Sequence, residues 1–89
     1  MQTQILNYRI IIEPEKMGRK TVYNAYCPTL GVADWGDSIE AALKSLKEGM
    51  ELAIECLVDE GNEVPVDQIE QLVTSAQIKA PEGAVVASA

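Results

Sequence analysis

The feature that most constrains the fold is a series of apolar residues at steps of three and four between positions 39 and 58. The series consists of Ile39, Ala42, Leu43, Leu46, Met50, Ala53, Ile54, Leu57 and Val58. This spacing places the side chains on one side of an α-helix, which has 3.6 residues per turn. We therefore predict an amphipathic helix over about residues 38–60. Its apolar side must pack on a second layer of structure.

Signals for helix ends frame this segment. Asp37 can cap the first backbone N–H groups while Glu40 reaches back to the cap, and Ser38 is the alternative cap one residue later. Gly61 is a natural stop. Gly49 lies inside the helix, where glycine costs about 1 kcal/mol relative to alanine. It either permits close approach of a neighbouring element or is a tolerated weak point.

Three segments with strand character precede the helix, at residues 5–13, 21–27 and 32–36. In the first, every second residue is apolar, namely Leu6, Tyr8, Ile10 and Ile12. This alternation is typical of a strand with one buried face. Pro14 should end that strand because it has no N–H for the ladder. A polar turn at residues 15–20 then allows the second strand to pair back as a hairpin.

Weaker signals follow the helix. A capping pattern and a short apolar stripe predict a small helix over about residues 67–75. Residues 84–87 are either a last short strand or a loose tail. The length of 89 residues suits one domain spanning residues 1–89. The predicted fold is α+β, with two layers: a three- to four-stranded, antiparallel-rich sheet on one long helix, plus the short C-terminal helix.

The charge balance restricts the class of partner. The chain has 7 Lys and Arg residues against 14 Asp and Glu residues, a formal net charge of −7. Binding to nucleic acid phosphates needs a basic surface, so we expect no direct DNA binding. An acidic surface can attract a basic protein at long range. The alternative is that the acidity only keeps the protein in solution.

The residue types argue against an enzyme. The chain contains no histidine, so a nucleophile would need an unusual base and a zinc site is improbable. It also lacks a glycine-rich phosphate loop. Glu13, Asp34 and Asp37 could gather near strand ends and hold a hard cation. The simpler interpretation is a cap and two solvated strand residues. We predict no catalytic residues, no cofactor and no metal.

The candidate binding residues are aromatic and acidic. Trp35 is the only tryptophan and is either part of the core or an interface residue, since aromatic residues are enriched at binding hot spots. Tyr26 lies on the strand face opposite Tyr23 and is the second exposed aromatic candidate. With the neighbouring acids, the predicted partner-binding set is Tyr26, Trp35, Asp34 and Glu13.

Location and assembly follow from what the sequence lacks. No signal peptide or membrane-spanning apolar run is found, so we expect a cytoplasmic protein without membrane contact. A chain this short buries a limited core, which favours a homodimer or a higher homo-oligomer.

The order of motifs resembles the HicB-like antitoxin domain of bacterial and archaeal HicA–HicB toxin–antitoxin pairs. The resemblance covers roughly residues 5–66. It includes Tyr8 and Glu13, the run from Tyr23 to Gly31, the run from Gly36 to Leu43, and Glu63-Val64-Pro65. The turn Pro28-Thr29-Leu30-Gly31 followed by Gly36-Asp37-Ser38 is its most specific part. This chain differs from the family in lacking a proline before Gly31. It also carries Trp35 where a polar residue is usual and Ala41 where the family has an acidic residue.

The resemblance implies a partial ribonuclease-H-like fold. It also implies a partner, a small basic HicA-type toxin that cleaves messenger RNA, which the antitoxin neutralises by covering its active surface. Many relatives continue into a DNA-binding domain, which we do not expect here. Two other functions remain: an orphan homo-oligomeric HicB-like scaffold or regulatory module without a toxin, and a metal-dependent nuclease relic using Glu13, Asp34 and Asp37.

Overall fold

The computed structural model describes residues 4–67 and 74–87. Its elements are the strands β1 (Ile11–Met17), β2 (Lys20–Cys27) and β3 (Val32–Gly36), followed by the helix α1 (Ile39–Asp59). The strands form one antiparallel sheet in the order β1-β2-β3. The predicted α+β class, with a sheet and one long helix, is confirmed. The bounds predicted for β2, β3 and α1 are correct to within one residue.

A tight turn sets the register of the β1–β2 hairpin. Met17 pairs with Lys20, so the turn contains only Gly18 and Arg19. Gly18 has a φ of 67° whereas Arg19 has no positive φ. Glycine with positive φ at the first position is the pattern of a type II′ turn, which matches the twist of paired strands.

The first strand begins and ends later than the sequence predicts. Residues 5–10 are not paired in the sheet, and Pro14 lies inside β1 opposite Tyr23 instead of ending it. Pro14 is tolerated because β1 is an edge strand, which pairs on one side only. Tyr8 and Ile10 still pack on the core. Their alternation is therefore a true burial pattern in a segment that is not a strand.

The N-terminus of α1 is capped by Ser38 and not by Asp37. The Ser38 Oγ accepts a hydrogen bond from the N–H of Ala41 at 3.0 Å. Asp37 instead pairs with Lys20, with 2.8 Å between Oδ1 and Nζ. Ser38, the alternative cap, is thus the residue that caps α1, and the Asp37 carboxylate forms an ion pair with Lys20 instead.

The helix ends at Asp59, and Gly61, two residues later, forms the predicted stop. The N–H of Gly61 donates to the carbonyl oxygen of Val58 at 3.0 Å, and the N–H of Asn62 donates to that of Leu57 at 2.9 Å. This pair of hydrogen bonds defines a Schellman motif, which satisfies carbonyl groups in the last turn of a helix.

The core lies between α1 and one face of the sheet. Its buried residues are Ala25, Cys27, Ala42, Leu46 and Met50. Of the two cysteines, Cys27 is buried and Cys56 is exposed, so only Cys27 behaves as a small core residue. Both thiols are free.

Two glycines allow α1 to approach β3 closely. A β-carbon on Gly36 would lie 2.5 Å from the backbone nitrogen of Ala42 and 2.9 Å from the β-carbon of Ala41. One on Gly49 would lie 3.2 Å from Val32 Cγ1. Of the two roles considered for Gly49, close approach of a strand is therefore the one observed.

The predictions for the C-terminal part have mixed outcomes. Most of the short helix expected at residues 67–75 falls on residues 68–73, outside the described part of the chain. Asp67, Thr74 and Ser75 are described and are not helical. Residues 84–87 do not form a strand, and all four are exposed. The sheet of the described residues therefore has three strands, not four.

Residues 4–67 and 74–87 include no helix with the length and apolar character needed to cross a membrane.

Candidate functional site

The candidate site is the sheet face that points away from α1, here called the outer face. Directly opposed residues of antiparallel strands carry their side chains on the same face. The pairing therefore defines the rows of the outer face as Ile11–Tyr26–Ala33, Glu13–Asn24–Trp35, Glu15–Val22 and Met17–Lys20.

Large apolar side chains are exposed on this outer face. The exposed fraction of Trp35 is 57% and that of Tyr26 is 44%. Ile11 and Met17 are exposed as well. Apolar groups that cluster on one surface indicate an interaction site more strongly than scattered ones. Trp35 is thus an exposed residue of the outer face and not a core residue.

Two carboxylates lie among these apolar groups. Glu13 is directly opposite Asn24, and Glu15 accepts a hydrogen bond from Asn24 Nδ2 at 2.9 Å through its Oε2. Among the described residues, the lysine beside these glutamates forms its ion pair elsewhere. Lys20, the cation on this face, is paired with Asp37. The centre of the outer face therefore carries net negative charge.

The outer face is indented beside Trp35. A shallow depression of about 460 Å³ is lined by Glu15, Met17, Lys20, Val22, Asn24 and Trp35. Val22 is only 5% exposed although it points away from the helix, so it forms the base of this depression. The lining combines an aromatic ring, a carboxylate and an amide, which suits a ligand with both apolar and cationic character.

The structure brings together three of the four predicted partner-binding residues. Tyr26, Trp35 and Glu13 all lie on the outer face. Asp34 does not, because neighbouring residues of a strand point to opposite faces. It lies on the side of α1, and its Oδ1 accepts the N–H of Trp35 at 2.8 Å. The alternation of side chains along a strand, applied to the sequence, could have placed Asp34 and Trp35 on opposite faces of the sheet.

Glu15 and Asn24 are members of the site that the sequence alone did not single out. Glu15 was placed in the turn after Pro14, whereas it is a residue of β1 opposite Val22. Recognising it requires the register of the hairpin, which depends on the two-residue turn. The signal in the sequence was Gly18, the residue that fixes that turn.

The proposed cation ligands do not come together. Glu13 lies on the outer face, Asp34 on the side of α1, and Asp37 is paired with Lys20. The described residues contain no group of three His, Cys, Asp or Glu residues that could hold a metal ion.

A second polar cluster, around Asp67, joins segments that are distant in the chain. The carboxylate of Asp67 accepts hydrogen bonds from the Thr29 hydroxyl and from the N–H of Arg9. Both hydrogen bonds lower the pKa of Asp67 below its ordinary value, and the bond from Thr29 has the larger effect. Nearby, the Tyr8 hydroxyl donates to the Pro65 carbonyl at 2.6 Å. Burial, followed by the neighbouring Cys27 and Asp67, raises the pKa of Tyr8.

Fold and site together define a small two-layer α+β domain with one exposed sheet face that is both aromatic and acidic. A curated relative, the UPF0150 protein ssr1765 of Synechocystis sp., is 39% identical over 67 residues, which are 74% of this chain and 81% of that protein. The chain belongs to the UPF0150 family. No family model matches it. No solved structure matches it significantly.

Proposed function

We propose that this protein is an antitoxin-like binding module that neutralises a small basic HicA-type toxin by covering the surface with which the toxin cleaves messenger RNA. Within the described chain, the observation that carries the proposal is the outer face. There Tyr26 and Trp35 are exposed beside the carboxylates of Glu13 and Glu15. The protein acts in the cytoplasm by binding and performs no catalysis itself.

The chemistry of the outer face supports a basic protein partner. Exposed aromatic residues supply the buried contacts that dominate binding energy at protein interfaces. Carboxylates around them favour a basic partner over an acidic one, and the net charge of −7 increases the rate of encounter. A surface that binds messenger RNA is itself basic. It therefore has the charge that this outer face would attract.

Family membership supports the same proposal. We take the UPF0150 family, to which the chain belongs, to be HicB-like and of antitoxin type, in line with the resemblance of the sequence. The turn from Pro28 to Gly31 and the helix start at Gly36-Asp37-Ser38, which carry the resemblance in the sequence, lie at the two ends of β3 in the structure. They connect β3, and with it Trp35, to the preceding hairpin and to the following helix α1.

The test is co-expression with any small basic protein that an adjacent gene encodes, followed by calorimetry of the complex and an assay of messenger RNA cleavage. We expect Trp35→Ser to weaken the complex by about 30-fold, as loss of an interface hot spot does. Leu52→Ser is the matched control, because Leu52 is 60% exposed but lies on α1. It should leave both affinity and neutralisation unchanged.

Two results would contradict the proposal. One is the absence of any basic protein that binds or is neutralised. The other is an equal loss of affinity in the Trp35 and Leu52 variants, which would mean that the toxin does not recognise the outer face.

A homo-oligomeric scaffold or regulatory module is the second candidate, favoured by the C-terminal residues. Ile78, Val85 and Val86 are exposed, although each is strongly apolar. Such residues gain stability when a second copy covers them. Light scattering should then show a homodimer or larger assembly that dissociates when residues 76–89 are removed. A monomer at millimolar concentration would contradict this candidate.

A further inference from the structure

We propose that the depression beside Trp35 binds one arginine side chain of the partner protein. The identity of that partner rests on the proposed function. The chemistry of the depression can be tested without it.

The dimensions of the sheet suit a planar cation. Glu15 lies on β1 and Trp35 on β3, with β2 between them. Neighbouring strands are about 4.8 Å apart, so β1 and β3 are separated by about 10 Å. Glu15 and Trp35 lie in neighbouring rows, because Glu15 pairs with Val22 and Trp35 with Asn24. Val22 and Asn24 form the surface between them. This gap accommodates a guanidinium group that contacts the carboxylate on one side and the indole on the other.

The carboxylate is held in position for such a contact. Asn24 Nδ2 donates to Glu15 Oε2 at 2.9 Å, which limits rotation of the glutamate side chain. A fixed carboxylate forms charge-assisted hydrogen bonds to a guanidinium group with little further loss of conformational freedom. Asn24 is also directly opposite Trp35, so it links the two walls of the depression.

The indole selects arginine over lysine. Trp35 is more than half exposed and offers its ring to a cation. A guanidinium is planar and weakly hydrated, so it can stack on the indole and bind the carboxylate at the same time. A lysine ammonium is compact and strongly hydrated, and it lacks the flat face that stacks on a ring.

The surrounding charges favour a cation despite the lysine in the lining. Lys20 is 2.8 Å from Asp37, which offsets its charge. Glu13 adds a second carboxylate in the row of Asn24 and Trp35. The four groups Glu13, Glu15, Lys20 and Asp37 therefore sum to a negative potential at the depression.

The probes are blocked hexa-arginine and hexa-lysine peptides at low ionic strength. Trp35 is the only tryptophan, so its fluorescence reports directly on the depression. We expect saturable binding of hexa-arginine, at least fivefold tighter than that of hexa-lysine. Glu15→Gln should weaken hexa-arginine binding by about tenfold, as loss of a charge-assisted hydrogen bond does. Asn24→Ala should have a smaller effect in the same direction.

Glu48→Gln is the matched control. It makes the same change in net charge at an exposed position of α1, away from the outer face. Equal affinity for the two peptides, or equal weakening by Glu15→Gln and Glu48→Gln, would overturn the inference and leave only long-range attraction. A fluorescence change that depends on protein concentration without any peptide would overturn it in favour of a second copy in the depression. Since the assay contains no toxin, absence of a basic toxin would overturn the proposed function alone.

Discussion

Gly36 lies so close to Ala42 that the first turn of α1 leaves no room for a side chain at the end of β3. A β-carbon at Gly36 would be 2.5 Å from the Ala42 nitrogen, which is backbone and cannot move aside locally. We therefore expect Gly36→Ala to lower the free energy of unfolding by about 3 kcal/mol, in the upper range for overpacking. Urea unfolding followed by circular dichroism measures the change.

Gly49→Ala is the control for this prediction. The new β-carbon would be 3.2 Å from Val32 Cγ1, a milder conflict with a side chain. The gain in helix propensity, about 1 kcal/mol, offsets part of it. A loss as large as that of Gly36→Ala would contradict the structure, because it would mean that α1 and β3 are packed as tightly at Gly49 as at Gly36.

Leu46 should be the most costly leucine of α1 to truncate. It is completely buried between the helix and the sheet, so Leu46→Ala removes contacts and leaves a cavity. We expect a loss of about 3 kcal/mol in the free energy of unfolding. Leu52→Ala, the same substitution on the exposed side of α1, should cost less than about 1 kcal/mol. Similar losses in thermal or urea unfolding would contradict the packing described for α1.

Ser38 and Asp37 should differ in their contributions to stability. Ser38→Ala removes the side-chain acceptor for the Ala41 N–H and should cost about 1 kcal/mol. Asp37→Ala removes an ion pair whose two side chains are more than half exposed, and should cost about 0.5 kcal/mol or less. Chemical denaturation of the two variants makes the comparison. A larger loss for Asp37→Ala would mean that the carboxylate caps the helix in solution.

The Asp67 carboxylate should make stability sensitive to acid. Its hydrogen bonds from Thr29 and Arg9 keep the folded-state pKa below the ordinary value of 3.8, so the unfolded chain binds the proton more tightly. The stabilisation is therefore fully present above pH 3.8 and is lost as the pH falls through the lowered pKa. The stability difference between the native protein and Asp67→Asn should shrink over that interval in urea unfolding.

Asp59→Asn provides the comparison for the pH experiment. Asp59 is an exposed residue at the end of α1, and its replacement makes the same change in net charge. The acid-dependent change in stability difference should be larger for Asp67→Asn than for this variant, because the hydrogen bonds from Thr29 and Arg9 are made to Asp67. An acid-sensitive difference of equal size in both variants would attribute the effect to general charge repulsion.

Periodicity was sufficient to predict the parts of the fold that depend on local pattern. The helix from Ile39 to Asp59 and the strand from Val32 to Gly36 follow from spacing and end signals within their own residues. The start of β1 could not be predicted in this way. Burial of every second residue occurs in a paired strand, but it also occurs in an extended segment that packs on the core without pairing. Tyr8 is half-buried through contacts with the core and with Pro65, and forms no ladder.

The candidate site was predictable in its aromatic residues and not in its carboxylates. Tyr26 and Trp35 could be identified from residue type and strand position alone. Glu15 becomes part of the site only through the register with Val22 and the hydrogen bond from Asn24. Both are contacts between strands, which depend on turn geometry and not on the pattern within either strand.

The hydrogen bonds of Asp67 also determine how the N-terminal segment can open. Arg9 and Asp67 are 58 positions apart in the chain, yet the Arg9 N–H donates a hydrogen bond to the Asp67 carboxylate. The same carboxylate accepts a second hydrogen bond from the Thr29 hydroxyl. Residues 4–10 lie outside the three-stranded ladder, so they can open while it stays intact, once the Asp67 bonds, the Tyr8–Pro65 bond and the packing of Tyr8 on the core are lost. The Arg9 amide should therefore exchange its hydrogen with solvent by local opening, earlier than the amides at the centre of β2.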